Sequence, residues 1–194
     1  MTVRSPVLAT FADLQVLAVD DVRAEVIHGV VVEKARPSSE HGGAQCALGT
    51  VLGRRFHRSP GGRWPGGWWF CSAIDVEYES HEAYCHDAAG WRRDRGAALT
   101  GWPIRTRPDW VCELLSPGYT RRDLVDKFQV LHRHRVPHYW IADPQERWLH
   151  VHRWEPDGYL VVHAAGEADV VRAEPFEAVE LRVAALFGIE EDEE

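Results

Sequence analysis

Apolar positions along the chain fall into helical and strand-like rhythms in a definite order. Thr10 reads as an N-cap before a short helix over Phe11–Ala18. β-rich runs at Arg23–Ile27 and Val30–Ala35 meet at His28-Gly29, which predicts a hairpin. Ala44, Leu48, Val51, Leu52 and Phe56 recur at helical spacing. A helix is therefore expected from Glu40 to His57, and Arg54, Arg55 and Arg58 at its end complement the dipole. The Gly- and Pro-rich loop Ser59–Gly67 leads into strand candidates at Trp68–Ser72, Ala73–Tyr78 and Tyr84–Trp91. Trp110–Leu115, apolar and bounded by Pro108 and Pro117, reads as a buried strand. Thr120 and Asp123 resemble a capping box with Asp in place of Glu, opening a helix from about Arg121 to His134. A strand at His138–Ala142, a hairpin of Trp148–Trp154 and Tyr159–Ala164, and a short helix at Val183–Phe187 complete the pattern. This order predicts an α/β (α+β) fold, a mixed sheet flanked by helices.

Composition narrows the picture. A chain of 194 residues with 45% hydrophobic content suits one core-forming domain, expected over residues 1–188, followed by an acidic, disordered tail at 189–194. The net charge of −8 resides in the last 28 residues, which carry ten acids and two arginines, so the body is neutral. A strongly basic nucleic-acid coat is excluded, and any nucleic-acid contact has to be local. No apolar run is long enough to span a membrane, and the N-terminus lacks the pattern of a secretory signal. Four cysteines without C-x-x-C spacing read as free, mostly buried thiols in a reducing cytoplasm. Eleven scattered histidines form no metal-ligand pattern. Among 22 basic residues only Lys34 and Lys127 are lysines. Trp64, Trp68 and Trp69, beside the Gly/Pro loop, read as core or dimer-interface residues ahead of base-stacking ones.

Three residues carry candidate chemistry. Glu113 lies inside the apolar run W-V-C-E-L-L, where an unpaired carboxylate costs several kcal/mol. Asp87 lies in a second strand candidate. Two acids on neighbouring strands repel, and a hard divalent cation such as Mg²⁺ or Mn²⁺ relieves the repulsion. A structural ion pair is the plain alternative for Glu113. Lys127 follows Asp123 by one helical turn, which makes a solvated i,i+4 pair; alternatively its ammonium reaches toward the two acids.

The segment P-D-W-V-C-E-L-L-S-P-G-Y-T-R-R-D-L-V-D-K-F (Pro108–Phe128), followed by R-V-P-H-Y-W-I-A-D-P (Arg135–Pro144), resembles the Uma2 family of putative restriction endonucleases. A-E-V-I-H-G (Ala24–Gly29), Pro37 to His41 and His86-Asp87 are similar to its upstream motifs, in order. The resemblance covers residues 10 to 188 and implies the PD-(D/E)XK nuclease fold. It also implies that Asp87, Glu113 and the backbone carbonyl of Leu114 hold a Mg²⁺ or Mn²⁺ ion. The superfamily's usual lysine position holds Leu115 here, and the family's lysine on the next helix matches Lys127. Glu25 and His41 match polar positions that converge on the site; Glu25 is expected to orient water, at a second ion site if there are two. Asp109 is expected to shape a turn and Asp123 to cap or orient Lys127. His86 departs from the family, standing where a proline precedes the aspartate.

The implied activity is metal-dependent endonucleolytic hydrolysis of DNA in the cytoplasm, by a homodimer suited to cutting both strands. Arg92, Arg93 and Arg95, Arg121 and Arg122, and the Arg54–Arg63 group are the candidate DNA grips. The alternative is a catalytically inactive nuclease-fold protein serving as a dimeric binding or scaffold module. A two-carboxylate glycosidase gives Lys127 no role.

Overall fold

The computed structural model describes residues 7–20, 22–96, 99–116 and 125–189. Eight strands form one sheet: β1 (Ala24–Ile27), β2 (Val30–Glu33), β3 (Trp68–Glu79), β4 (Glu82–Arg92), β5 (Trp110–Leu114), β6 (His138–Asp143), β7 (Trp148–Glu155) and β8 (Gly158–Gly166). Their order is β2-β1-β4-β5-β6-β7-β8, with β3 also paired to β4. The β5–β6 pair is parallel, because α3 (Lys127–Arg133) crosses between them; the other pairs are antiparallel. The other helices are α1 (Phe11–Val19), α2 (Ser39–Phe56) and α4 (Val183–Leu186).

Alternation along β5 divides the core. Trp110, Cys112 and Leu114 face α2, packing with Ala44, Leu48, Leu52, Trp140 and Phe176. Val111 faces the opposite layer, with Leu131 of α3, Val136, Tyr139 and Ile141. Helices on both sheet faces match the expected mixed-sheet architecture. Trp68 belongs to the first core, stacked near Phe70 and Phe176.

Four sequence expectations need correction. Trp68–Ser72 and Ala73–Tyr78 are one strand, β3. Its side-chain phase nevertheless changes at Ala73, which holds a left-handed φ of 49°. Phe70 packs toward α2, whereas Ile74 and Tyr78 pack toward α3. Opposite on β4, Tyr84 faces Val130 of α3, while Ala88 faces α2. Second, α3 is described from Lys127, after a wider π-type turn at Val125–Asp126; residues 117–124, with the expected cap, lie outside the described residues. Third, a two-stranded sheet, β9 (Val170–Val171) with β10 (Leu181–Arg182), was not anticipated, since two residues carry no alternation to read. Fourth, all four cysteines are free, but only Cys85 and Cys112 are buried, and Cys46 is exposed. The expected tail at 190–194 lies outside the described residues.

The N-cap of α2 matters because this helix carries His41 and Gln45. Ser38 Oγ accepts the His41 N–H at 3.2 Å, satisfying one orphan donor of the first turn. Ser38→Ala is therefore expected to cost about 1 kcal/mol of stability in urea denaturation. An unchanged midpoint would show that the cap contributes nothing.

Candidate active site

β4 is flanked along one edge by two strands that do not meet. β1 pairs with it at Ala83, and β5 pairs with it from Ala88 to Gly90. Between them the backbone of Cys85 to Asp87 faces a split in the sheet. Buried backbone groups need partners, and side chains supply them here. The Cys85 N–H donates to Glu25 Oε1 at 3.0 Å. The Cys85 carbonyl accepts from Lys34 Nζ at 2.6 Å. The Asp87 carbonyl accepts from Gln45 Nε2 at 2.7 Å. On the β5 side, the Leu114 N–H donates to Asp87 Oδ2 at 2.9 Å. Because N–H and C=O of one strand residue point the same way, the Leu114 carbonyl also faces the split.

Into this opening the fold brings Glu25, Asp87, Glu113, Lys127 and His41, all buried. Lys127 Nζ lies 2.8 Å from Glu25 Oε1 and 3.2 Å from Glu113 Oε2. It also stands 5.7 Å above the Tyr84 ring. From the α2 side, His41 Nε2 approaches Asp87 Oδ1 at 3.4 Å, and its Nδ1 pairs with Ser116 Oγ at 2.9 Å. The solvated Asp123 pair considered for Lys127 does not account for an ammonium buried between two carboxylates.

Two participants escaped the sequence reading. Lys34, just past β2, places Nζ 3.3 Å from Asp87 Oδ1 and 3.8 Å from Glu25 Oε1. The available signal was rarity: both lysines of an arginine-rich chain reach this site. The second is His86, noted in the sequence only as a departure from the family. Its ring is fully buried, with Nδ1 2.5 Å from Glu113 Oε1 and Nε2 2.8 Å from the Tyr78 hydroxyl. An ionised Glu113 only accepts, so Nδ1 donates to it, and Nε2 pairs with the Tyr78 hydroxyl. Burial, the largest influence, holds the Tyr78 phenol well above its usual range and therefore protonated.

The electrostatics favour fully charged acids and lysines. Burial alone pushes Asp87 up, but the His41 hydrogen bond, the Lys34 and His41 charges and the Leu114 N–H together hold its carboxyl well below the usual range. Burial likewise raises Glu113, and Lys127, Lys34 and the His86 hydrogen bond outweigh it. For Lys127, burial lowers the pKa, but Glu113 and Glu25 reverse this and lift it well above its usual value.

The proposed DNA arginines stand elsewhere. Arg92, Arg93 and Arg95 follow Trp91 at the end of β4, about 17 Å along the strand from Asp87. Arg95 pairs with Asp109, whose other oxygen takes the Arg92 N–H at 2.9 Å, so Asp109 shapes this turn. Arg93 donates to the Trp68 carbonyl at 2.9 Å and lies over the Trp69 ring. Arg55, at the far end of α2, is buried about 21 Å from His41 along the helix. Arg121, Arg122 and Asp123 lie outside the described residues.

A family model described as "Putative restriction endonuclease", Uma2, matches residues 8–184. The chain belongs to the Uma2 family. Among solved structures, a putative nuclease from Anabaena variabilis is similar, with a TM-score of 0.64 at 17% identity, covering 87% of this chain and 92% of that one. At that identity the likeness speaks for the fold, which this Uma2 chain shares with it. No curated protein matches the chain. No helix of this Uma2 protein is long and apolar enough to cross a membrane, among the described residues.

Proposed function

We propose that this chain is an endonuclease that hydrolyses DNA phosphodiester bonds with Mg²⁺ or Mn²⁺. One observation carries the reading: Asp87, Glu113, Lys127 and Glu25, drawn from four separate elements, meet at a split in the sheet of a chain from a nuclease family. The donor set suits a hard divalent cation, since the Asp87 and Glu113 carboxylates and the Leu114 carbonyl are all oxygens. The proposed set is two side chains and one backbone oxygen; among the described residues no group of three His, Cys, Asp or Glu side chains stands close enough to hold a metal by itself. When bound, the ion supplies positive charge against the scissile phosphate and acidifies an attacking water.

The protein's own groups do the positioning. His86 fixes the Glu113 carboxylate through Oε1, and Lys127 fixes it through Oε2. Glu25 anchors Lys127, and His41 with the Leu114 N–H orients Asp87. The buried Lys127 ammonium stabilises negative charge growing at the reacting phosphate, in a low-dielectric site where such a charge acts strongly. A homodimer of such sites would cut both strands.

The test is supercoiled plasmid with Mn²⁺ or with chelator, alongside calorimetric titration of Mn²⁺. Cleavage in Mn²⁺ alone is expected, with Mn²⁺ binding that disappears in Glu113→Gln. A folded wild-type protein that binds no Mn²⁺ and leaves plasmid intact would make the cluster a structural ion-pair network. The chain would then be a scaffold with a nuclease fold.

A further inference from the structure

We propose that Lys34 is the residue of this site that touches the substrate, donating a hydrogen bond to a phosphate oxygen of DNA while Lys127 acts from behind the acids. The inference rests on the nuclease reading above and assigns the contact within it. The two lysines differ in access. The Lys127 side chain is 2% exposed and closed between Glu25 and Glu113. The Lys34 side chain is 18% exposed.

Donor counting points the same way. An ammonium has three N–H groups. Lys34 spends one on the Cys85 carbonyl at 2.6 Å and one on Asp87 Oδ1 at 3.3 Å. Glu25 Oε1, at 3.8 Å, is too far for a hydrogen bond. One donor remains, on a side chain that is part-exposed and seated against a proposed metal ligand. Arg23 and Arg36 are exposed on either side of the hairpin end that carries Lys34, and the Lys34 N–H bonds the Arg23 carbonyl at 2.8 Å. Among the lysines and acids of the site the Lys34 side chain is the most exposed, at 18% against 10% for Glu113, 4% for Asp87 and 1% for Glu25.

The experiment measures affinity without turnover. Binding of a short labelled DNA duplex is followed by fluorescence anisotropy in chelator across a series of KCl concentrations. For Lys34→Gln the slope of log K against log salt is expected to become shallower by about 0.9, the signature of one lost phosphate contact. Lys34→Arg, which keeps the charge, is expected to retain the wild-type slope. Lys34→Met keeps the aliphatic stem in place and serves the same purpose if the Gln variant does not fold. A wild-type slope in the folded Gln or Met variant, with DNA still bound, overturns the proposal and leaves the nuclease reading standing. Wild-type protein that neither binds nor cuts DNA removes both.

Discussion

Lys127→Ala protein is expected to show no plasmid cleavage and to lose about 3–5 kcal/mol of stability. The magnitude follows from where the ammonium sits. Glu25 and Glu113 are both buried, and Lys127 Nζ is within 3.2 Å of each. Removing it strands two buried carboxylates, with Lys34 the remaining ammonium beside them. Part of that loss is structural, and a second variant separates it from the chemistry. In a Lys127→Met background, Glu113→Gln removes one stranded charge and is expected to recover part of the stability. Cleavage should not return, because the double variant lacks both the ammonium and the acid. Urea denaturation reads the first quantity and plasmid nicking the second. Full cleavage by a folded Lys127→Ala protein would remove Lys127 from the mechanism.

At Asp87 two substitutions should part company. Asp87→Asn is expected to abolish Mn²⁺ binding and cleavage, because an amide offers one neutral oxygen in place of a charged carboxylate. The same amide oxygen can still accept the Leu114 N–H, so the strand junction stays satisfied. Asp87→Ala loses that acceptor as well. The Leu114 N–H is then buried without a partner, which adds about 1–3 kcal/mol of destabilisation beyond the Asn variant. Calorimetry with Mn²⁺ and urea midpoints check the two claims independently. Equal stability of the Asn and Ala proteins would mean that water or a shifted backbone takes over the Leu114 N–H.

How far the site could be read from the sequence depended on how local the signal was. Glu113 declared itself by interrupting an apolar strand, and Lys127 by its distance from that strand in a long motif. Asp87 needed the order of the weaker upstream motifs. Lys34 carried no such mark. It follows a strand whose end positions are exposed, and its partners Cys85 and Asp87 lie 51 and 53 residues downstream. Only the pairing of β1 with β4 brings them together, and that is a tertiary event. The arginine clusters show the complementary case: charge shows in a sequence, whereas distance from the acids is set by position along a strand or helix axis, about 17 Å for Arg92. The break between Ser72 and Ala73 was a true feature of the pattern, read as a chain break when it is a change of side-chain phase. An alanine at positive φ gives no local warning, as a glycine would have.

The scarcity of lysine has a practical side. Among side-chain amines this protein offers Lys34 and Lys127 alone, and Lys127 is sealed inside the sheet split. An acylating reagent that reacts with lysine side chains therefore has one accessible target, and that target lies in the pocket itself. Lysine-directed dyes and cross-linkers, ordinarily chosen as benign handles, would report on the proposed site or obstruct it. Thiol coupling at the exposed Cys46 avoids both lysines.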